Sequence, residues 1–167
     1  MESHDVNSVI KTLELIPHPE GGYFREVYKS EEITTQDMLP SRYNGNRSFL
    51  TSIYYLLKNN DVSRFHNLLS DEIWYFHIGS PVIIHQISFD GSYSKYLLGS
   101  NYLSEEKPHV LVRRNTWFGA EIKNKDSFSL VSCAIAPGFE FLDFKLADRN
   151  ELLVKYPQHT DLIIKLT

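Results

Sequence analysis

Cysteine is almost absent from this sequence of 167 residues, which contains one, Cys133. A single thiol excludes an internal disulfide bond and is typical of proteins that work in a reducing compartment. Cys133 lies in the apolar run from Ser129 to Ile135. We therefore expect it to be a small buried hydrophobic side chain rather than a nucleophile.

Long apolar runs are also missing, because no segment approaches the roughly 20 residues that a membrane-spanning helix needs. The first nine residues lack the basic and then apolar pattern of a signal peptide. The net charge is −4, and the basic residues are scattered apart from the pair Arg113 and Arg114. We therefore expect a cytoplasmic protein that binds neither membranes nor nucleic acids.

Aromatic residues are abundant, with 10 Tyr, 10 Phe and 2 Trp, and they favour β-structure. Short candidate strands follow one another and are separated by turn signals, of which Asp90-Gly91 predicts the clearest hairpin. The predicted strands cover residues 23–28, 49–57, 73–77, 82–89, 93–98, 109–112, 127–134 and 139–146. The pattern predicts one mainly β domain over residues 1–167, built as a sandwich or barrel.

Helical signals occur only near the two ends of the sequence. Apolar residues recur at helical spacing after Asp5, a suitable N-cap, and Pro17 ends this pattern. Residues 149–155, after Asp148, predict one or two further helical turns. The polar stretch 30–47 is predicted to be a long surface loop.

Four separated blocks carry a resemblance that spans nearly the whole chain. Glu72 and Gly79 have the spacing of the first cupin motif, and residues 112–120 correspond to the second motif. The four blocks are residues 18–24 (HPEGGYF), 66–77, 117–120 (WFGA) and 136–144 (APGFEFLDF). Together they resemble the DUF985 or cupin-5 family of the RmlC-like cupin superfamily. The resemblance implies a jelly-roll barrel, also called a double-stranded β-helix, that binds a ligand and forms a homodimer.

A typical metal-binding cupin holds its ion with three histidines and a glutamate. The resemblance places His66 and Glu72 at two of these positions, but Leu68 and Phe118 at the other two. With one imidazole and one carboxylate as protein ligands, a first-row transition-metal ion would have water at most of its coordination positions. We therefore predict neither a tightly bound metal nor another cofactor. His77 would supply a further ligand if it pointed inward, which strand alternation leaves open.

His66 and Glu72 are also the candidate catalytic residues. An imidazole and a carboxylate at a pocket are suited to proton transfer or to holding a substrate hydroxyl. The alternative is a structural pair in which the histidine donates to the glutamate and neither contacts a ligand.

The glycine pair at residues 21 and 22 allows the backbone to approach another group closely. Glu20 and Tyr23 would then flank a shared space, with Arg25 on the same strand face as Tyr23. An inward Arg25 would favour a carboxylate or phosphate on the ligand. A surface salt bridge of Arg25 with Glu20 or Glu26 is the alternative.

The other candidate ligand-binding residues belong to the two cupin-like blocks, and their alternative role is core packing. They are Phe65, Trp74, His77 and Trp117, and Tyr54 and Tyr55 of the preceding predicted strand are further possible pocket walls. A cavity lined by rings is suited to sugars and flat heterocycles.

Three functions fit these features. The first is a cupin that binds a sugar, a sugar nucleotide or a small carboxylate. The second is a metal-independent enzyme that resembles sugar or sugar-nucleotide epimerases and isomerases. The third is a non-catalytic interaction module whose barrel is filled by its own side chains.

Overall fold

The computed structural model describes residues 5–167, which form two six-stranded sheets and short helices. Residues 1–4, the start of the segment without a signal-peptide pattern, lie outside the described residues. The strands are β1 (Ile16–Pro17), β2 (Tyr23–Lys29), β3 (Ile33–Thr34), β4 (Arg47–Ser48), β5 (Thr51–Lys58), β6 (Val62–Leu68), β7 (Asp71–Gly79), β8 (Val82–Ile87), β9 (Tyr93–Leu98), β10 (Glu106–Lys107), β11 (His109–Val112), β12 (Trp117–Ile122), β13 (Phe128–Ala136) and β14 (Phe144–Leu146). The α-helices are α1 (Val6–Thr12), α2 (Arg149–Lys155) and α3 (Thr160–Lys165), and 3₁₀ turns occupy Gln36–Met38, Phe141–Asp143 and Pro157–His159.

The two sheets pack face to face. The first has the order β1-β2-β5-β13-β7-β11 and the second has the order β10-β9-β8-β12-β6-β14. The main core lies between them and includes Leu57 and Val131 from the first sheet and Ile84 and Phe118 from the second. This arrangement confirms the predicted mainly β jelly-roll fold.

Helices cover the outer faces of both sheets. Asp5 caps α1 by accepting hydrogen bonds from the backbone N–H groups of Asn7 and Ser8. The apolar face of α1 packs on Leu56 and Leu130 of the first sheet. On the second sheet, α2 and α3 bury Leu152, Tyr156, Ile163 and Leu166 against Phe65 and Ile87. Both predicted helical segments are thus confirmed, whereas α3 was not predicted.

The strand predictions are confirmed where turn signals bound an alternating segment. β9 and β11 have the predicted bounds, and Asp90-Gly91 connects the β8–β9 hairpin. The sequence did not predict β6, whose pattern of hydrophobicity is interrupted by polar residues such as Ser63 and His66. It also did not predict β12, which contains Gly119 where a Cβ atom would lie 2.8 Å from the carbonyl oxygen of Ser63.

The strand predicted over residues 139–146 is wrong in its first half, which contains the Phe141–Asp143 turn. A buried ion pair holds this turn: Arg47 Nε and Nη2 donate to the two carboxylate oxygens of Asp143 at 2.7 and 2.6 Å. Arg47 is also the end of the stretch predicted to be a surface loop, so that stretch is anchored in the interior at one end. The ion pair therefore connects the end of the 30–47 stretch to the turn before β14, next to the cavity described below.

No helix in residues 5–167 combines the length and apolar character needed to cross a membrane.

Candidate functional site

A cavity opens between the two sheets and admits water-sized molecules over about 100 Å³. Its walls come from the turn before β2, from β2, β5, β6, β7 and β13, and from the segment before β14. The lining residues are His18, Glu20, Phe24, Glu26, Thr51, Ile53, Tyr55, His66, Leu68, Glu72, Trp74, Cys133, Ile135, Phe139, Phe141 and Phe144. Phe141 and Glu26 are exposed, so they mark the mouth of the cavity.

Glu20 reaches the cavity through a tight turn. Gly21 and Gly22 have φ angles of +112° and +67°, and a Cβ atom on Gly21 would lie 2.2 Å from the carbonyl oxygen of Val62. Only glycine fits so close to β6. The turn directs the Glu20 carboxylate inward, where its Oε1 accepts a hydrogen bond from Ser63 Oγ at 2.9 Å.

His66 lies on β6 with its side chain directed into the cavity, and its hydrogen bonds define where its protons lie. Nδ1 is 2.7 Å from the carbonyl oxygen of Arg64, which only accepts, so Nδ1 carries a hydrogen. Nε2 lies 3.3 Å from Glu20 Oε2. In a neutral ring, this Nε2 would present a lone pair to a carboxylate oxygen. The His66 imidazole and the Glu20 carboxyl group are therefore in direct contact inside the cavity.

His18 closes the same corner of the cavity. Its Nδ1 accepts the backbone N–H of Glu20 at 3.2 Å, and its ring packs edge-on to Phe24 at a centroid distance of 4.5 Å. Burial lowers the pKa of His18, against the opposing effect of the Glu20 charge. His18 is therefore a neutral imidazole at neutral pH.

Glu72 is the second inward carboxyl group. Its Oε2 accepts a hydrogen bond from Trp74 Nε1 at 2.7 Å, and the side chain is buried. Burial, together with the negative charge of Glu20, raises the pKa of Glu72 to about 8. At neutral pH, Glu72 is therefore mostly a protonated acid that is able to donate a proton or a hydrogen bond.

Two further groups with titratable hydrogens line the cavity. Tyr55 donates from its hydroxyl to the carbonyl oxygen of Gly21 at 2.7 Å, and burial raises the pKa of this phenol. Burial and the charges of Glu72 and Glu20 also raise the pKa of the Cys133 thiol. Cys133 is thus buried and protonated, as the sequence predicted for a residue that is not a nucleophile.

Four of the predicted site residues meet in this cavity: Glu20, His66, Glu72 and Trp74. Glu20, rather than Glu72, is the partner of His66, so the expected direct pair of His66 and Glu72 is replaced by two neighbouring carboxyls in one cavity.

Tyr23 and Arg25 share a strand face, as expected, but it is the outer face. Phe24 and Glu26 alternate with them and point into the cavity. Tyr23 packs with the cluster beneath α1, and Arg25 forms a surface ion pair with Glu14 at 2.6 Å. The expectation that Tyr23 and Arg25 face the pocket is therefore corrected.

Phe65, His77 and Trp117 also lie outside the cavity because each alternates with an inward residue. Phe65 and Trp117 pack with the helices on the outer face of the second sheet. His77 is exposed, and its Nε2 lies 2.9 Å from Ser132 Oγ on the outer face of the first sheet. His77 therefore does not supply a ligand to a site inside the barrel.

Sequence reasoning did not select His18 for its place in the cavity. His18 lies two residues before Glu20 in the quoted HPEGGYF block, and this spacing was the available signal. Tyr55, which the sequence analysis named as a possible pocket wall, does line the cavity, whereas its neighbour Tyr54 packs with the cluster beneath α1.

The residues at the cupin metal positions do not fit a metal ion. Leu68 and Phe118 have no donor atoms, and the Phe118 ring packs on His66 at a centroid distance of 3.9 Å. Glu72 accepts a hydrogen bond from Trp74 Nε1, and the free ring nitrogen of His66, Nε2, faces the Glu20 carboxyl group. Across residues 5–167, no group of three His, Cys, Asp or Glu side chains is placed to hold a metal.

The sequence matches one family along most of its length. The model of the Cupin_5 family, described as "Cupin superfamily (DUF985)", matches residues 7–147. The uncharacterized protein YML079W of Saccharomyces cerevisiae is 26% identical over 152 residues, which cover 83% of this chain and 73% of the yeast protein.

Solved structures share the whole fold. Protein SO0799 from Shewanella oneidensis has a TM-score of 0.88 and 41% identity, with 98% of each chain covered. A hypothetical protein from Leishmania major has a TM-score of 0.89 and 31% identity, with 98% of this chain and 99% of that chain covered. Oxalate decarboxylase from Bacillus subtilis, at 14% identity and a TM-score of 0.54, shares the fold over 90% of this chain and 36% of its own.

Proposed function

Since this chain belongs to the Cupin_5 family of the cupin superfamily (DUF985), we propose that it binds a small organic molecule in the cavity between its two sheets. The observation that carries the proposal is an accessible cavity into which Glu20, His66 and Glu72 all point. Buried polar groups are costly unless they are paired, and a mostly apolar pocket with a few converging polar groups is typical of a ligand site.

The lining favours a ring-shaped ligand with hydroxyl groups, such as a sugar. Phe24, Tyr55, Trp74 and the three phenylalanines before and in β14 offer apolar surface to a ring. The carboxyl and imidazole groups offer both donors and acceptors to hydroxyls. Neither lysine nor arginine occurs among the described lining residues, so a phosphate or carboxylate inside the cavity would have no cationic side chain as partner. The phosphates of a sugar nucleotide would therefore stay outside the mouth.

A panel of sugars, sugar phosphates, sugar nucleotides and small carboxylates, tested by thermal shift, examines this proposal. A ligand at 100 times its Kd stabilises the protein by about 2.7 kcal/mol, which corresponds to a rise of roughly 5–10 °C in Tm for a chain of this size. His66→Gln should reduce the shift caused by a bound sugar, whereas His77→Gln, on the outer face, should not. The absence of any shift across the panel would favour the interaction module.

Acid–base catalysis on the bound molecule is a second candidate function. Two carboxyl groups in one cavity have different surroundings, because burial and the Glu20 charge raise the pKa of Glu72 to about 8, whereas Glu20 lies 3.3 Å from the imidazole of His66. Such a difference assigns an acid and a base, which is what a metal-independent isomerisation requires. Incubation of a ligand from the panel in deuterated buffer should then exchange a carbon-bound hydrogen, and Glu72→Gln should slow that exchange.

We also propose that the protein forms a homodimer. Large hydrophobic residues are exposed at the end of β2 and in the segment that follows it, namely Val27, Tyr28, Ile33, Phe49 and Leu50. Hydrogen bonds from Ser30 N to Leu50 O and from Phe49 N to Glu32 O bring the two parts side by side. Adjacent exposed apolar residues favour an interface, and two-fold pairs are the commonest closed assemblies.

A further inference from the structure

We infer that the ligand of this cavity carries a cationic amino group and that Glu72 is the ion-pair partner of this group. The inference rests on the proposed function, since it specifies the charge of the molecule that the cavity binds.

The charges of the lining residues are unbalanced. The carboxyl groups are Glu20, Glu26 and Glu72, and no described lining residue is a lysine or arginine. The nearby cationic side chains have other partners. Arg25 pairs with Glu14, Lys29 with Glu140 and Arg47 with Asp143. An ammonium group therefore finds ionic partners in the cavity, and an anion does not.

The aromatic walls favour the same charge. The cavity that holds the carboxyl groups is also lined by the rings of Phe24, Tyr55, Trp74, Phe139 and Phe144. Aromatic faces carry negative potential and attract ammonium groups, most strongly where water is excluded. Carboxyls with aromatic walls thus form a site that holds a cation without a metal ligand set.

The groups around Glu72 support this assignment. They are Glu20, Cys133 and Trp74, with His18, His66 and Tyr55 on the other walls of the same cavity. Burial and the Glu20 charge together raise the pKa of Glu72 to about 8, and of these two the negative charge of Glu20 also attracts a positive group to that position. An incoming ammonium group therefore replaces the Glu72 proton. One proton passes to solvent for each amine bound, and the net charge of the cavity is unchanged.

Three ring compounds that differ in one substituent test the charge preference: cyclohexylamine, cyclohexanol and cyclohexanecarboxylate. At neutral pH, titration calorimetry should show at least tenfold tighter binding of the amine than of the alcohol, and no binding of the carboxylate. Titrations in phosphate and in MOPS, which differ in ionisation enthalpy, should show release of close to one proton per amine bound.

Variants then assign the effect to Glu72. Glu72→Gln has the shape of the protonated acid but cannot become negative, so it should abolish both the amine preference and the proton release while cyclohexanol still binds. Glu151→Gln, which removes an exposed carboxyl on α2 that does not line the cavity, should preserve both effects.

Each outcome bears on a different claim. Binding of cyclohexanol within about twofold of the amine, or an amine preference that survives in Glu72→Gln, would overturn the inference and leave ligand binding in the cavity intact. Sugar binding in the thermal-shift panel without any amine binding would likewise overturn the inference and leave the proposed ligand binding intact. No binding by any ring compound or sugar would overturn both the inference and the proposed function. If Glu72→Gln does not fold, the number of protons that the wild-type protein releases per amine bound still tests the inference, and release of none would overturn it.

Discussion

Replacement of Glu72 by glutamine should remove a large pH-dependent contribution to stability. The Glu72 carboxyl is buried, accepts a hydrogen bond from Trp74 Nε1 and lies near the Glu20 charge, so that its pKa rises from 4.5 to about 8. Glutamine keeps the oxygen that Trp74 requires and has nearly the same volume, but it does not titrate. The difference between the two proteins therefore isolates this one group.

The magnitude follows from the pKa shift. Because folding raises the pKa of Glu72, the folded chain binds a proton more tightly than the unfolded chain does. The stabilisation that this proton provides is complete below about pH 4.5 and is lost as the pH rises through about 8. One unit of pKa difference corresponds to about 1.4 kcal/mol. Between about pH 5 and pH 8, the wild-type protein should lose roughly 3–4 kcal/mol of unfolding free energy relative to Glu72→Gln.

Urea unfolding monitored by tryptophan fluorescence at intervals across this pH range measures the difference directly. Other titrating groups affect both proteins alike and cancel in the subtraction. Glu26→Gln is the matched control, because its carboxyl is exposed, and its profile should run parallel to that of the wild type. A parallel profile for Glu72→Gln as well would refute the assignment of Glu72 as a buried, protonated acid.

Three other predictions concern the Arg47–Asp143 ion pair, the metal content and the assembly, and a fourth concerns the contact between Glu20 and His66. Arg47→Ala should lower the free energy of unfolding by about 3–5 kcal/mol, because it leaves Asp143 buried without its cation; a loss below about 1 kcal/mol in urea unfolding would contradict this. Elemental analysis of protein purified without added metal should find well below one equivalent of zinc, iron, manganese or nickel, whereas a stoichiometric metal that survives dialysis against a chelator would show this prediction to be wrong. Light scattering at micromolar concentration should give the mass of a dimer, and a monomer mass would remove the dimer proposal. In a double-mutant cycle of Glu20→Gln and His66→Gln, the stability losses should fall short of additivity by about 1–3 kcal/mol because the two side chains are in contact, and additive losses would show that they do not interact.

Local signals in the sequence were sufficient for much of the fold. Asp5 and Asp148 cap helices as predicted, because a cap depends on residues within a few positions. The Asp90-Gly91 turn likewise depends on its own four residues. β6 was missed because its inner face borders a polar cavity, so that hydrophobicity does not alternate along it.

The site was only partly predictable for a related reason. The motif spacing identified His66 and Glu72, but strand β2 has aromatic residues on both faces, such as Tyr23 and Phe24. Alternation shows that Tyr23 and Arg25 share a face and does not show which face is inside. That choice depends on the pairing of β2 with β5 and on α1, which covers Tyr23.

The proton arrangement explains how this barrel accommodates two inward carboxyls without the usual metal ligands. At the metal positions, Leu68 and Phe118 contribute only apolar surface, and Phe118 packs on the ring of His66. Burial and the Glu20 charge raise the pKa of Glu72 to about 8, so this carboxyl is mostly protonated and uncharged at neutral pH. Protons, unlike a tightly coordinated ion, exchange readily with solvent and with a ligand. Stability should therefore respond to pH around the pKa of Glu72, and binding of a cationic ligand should respond over the same range if this ligand takes the place of the Glu72 proton.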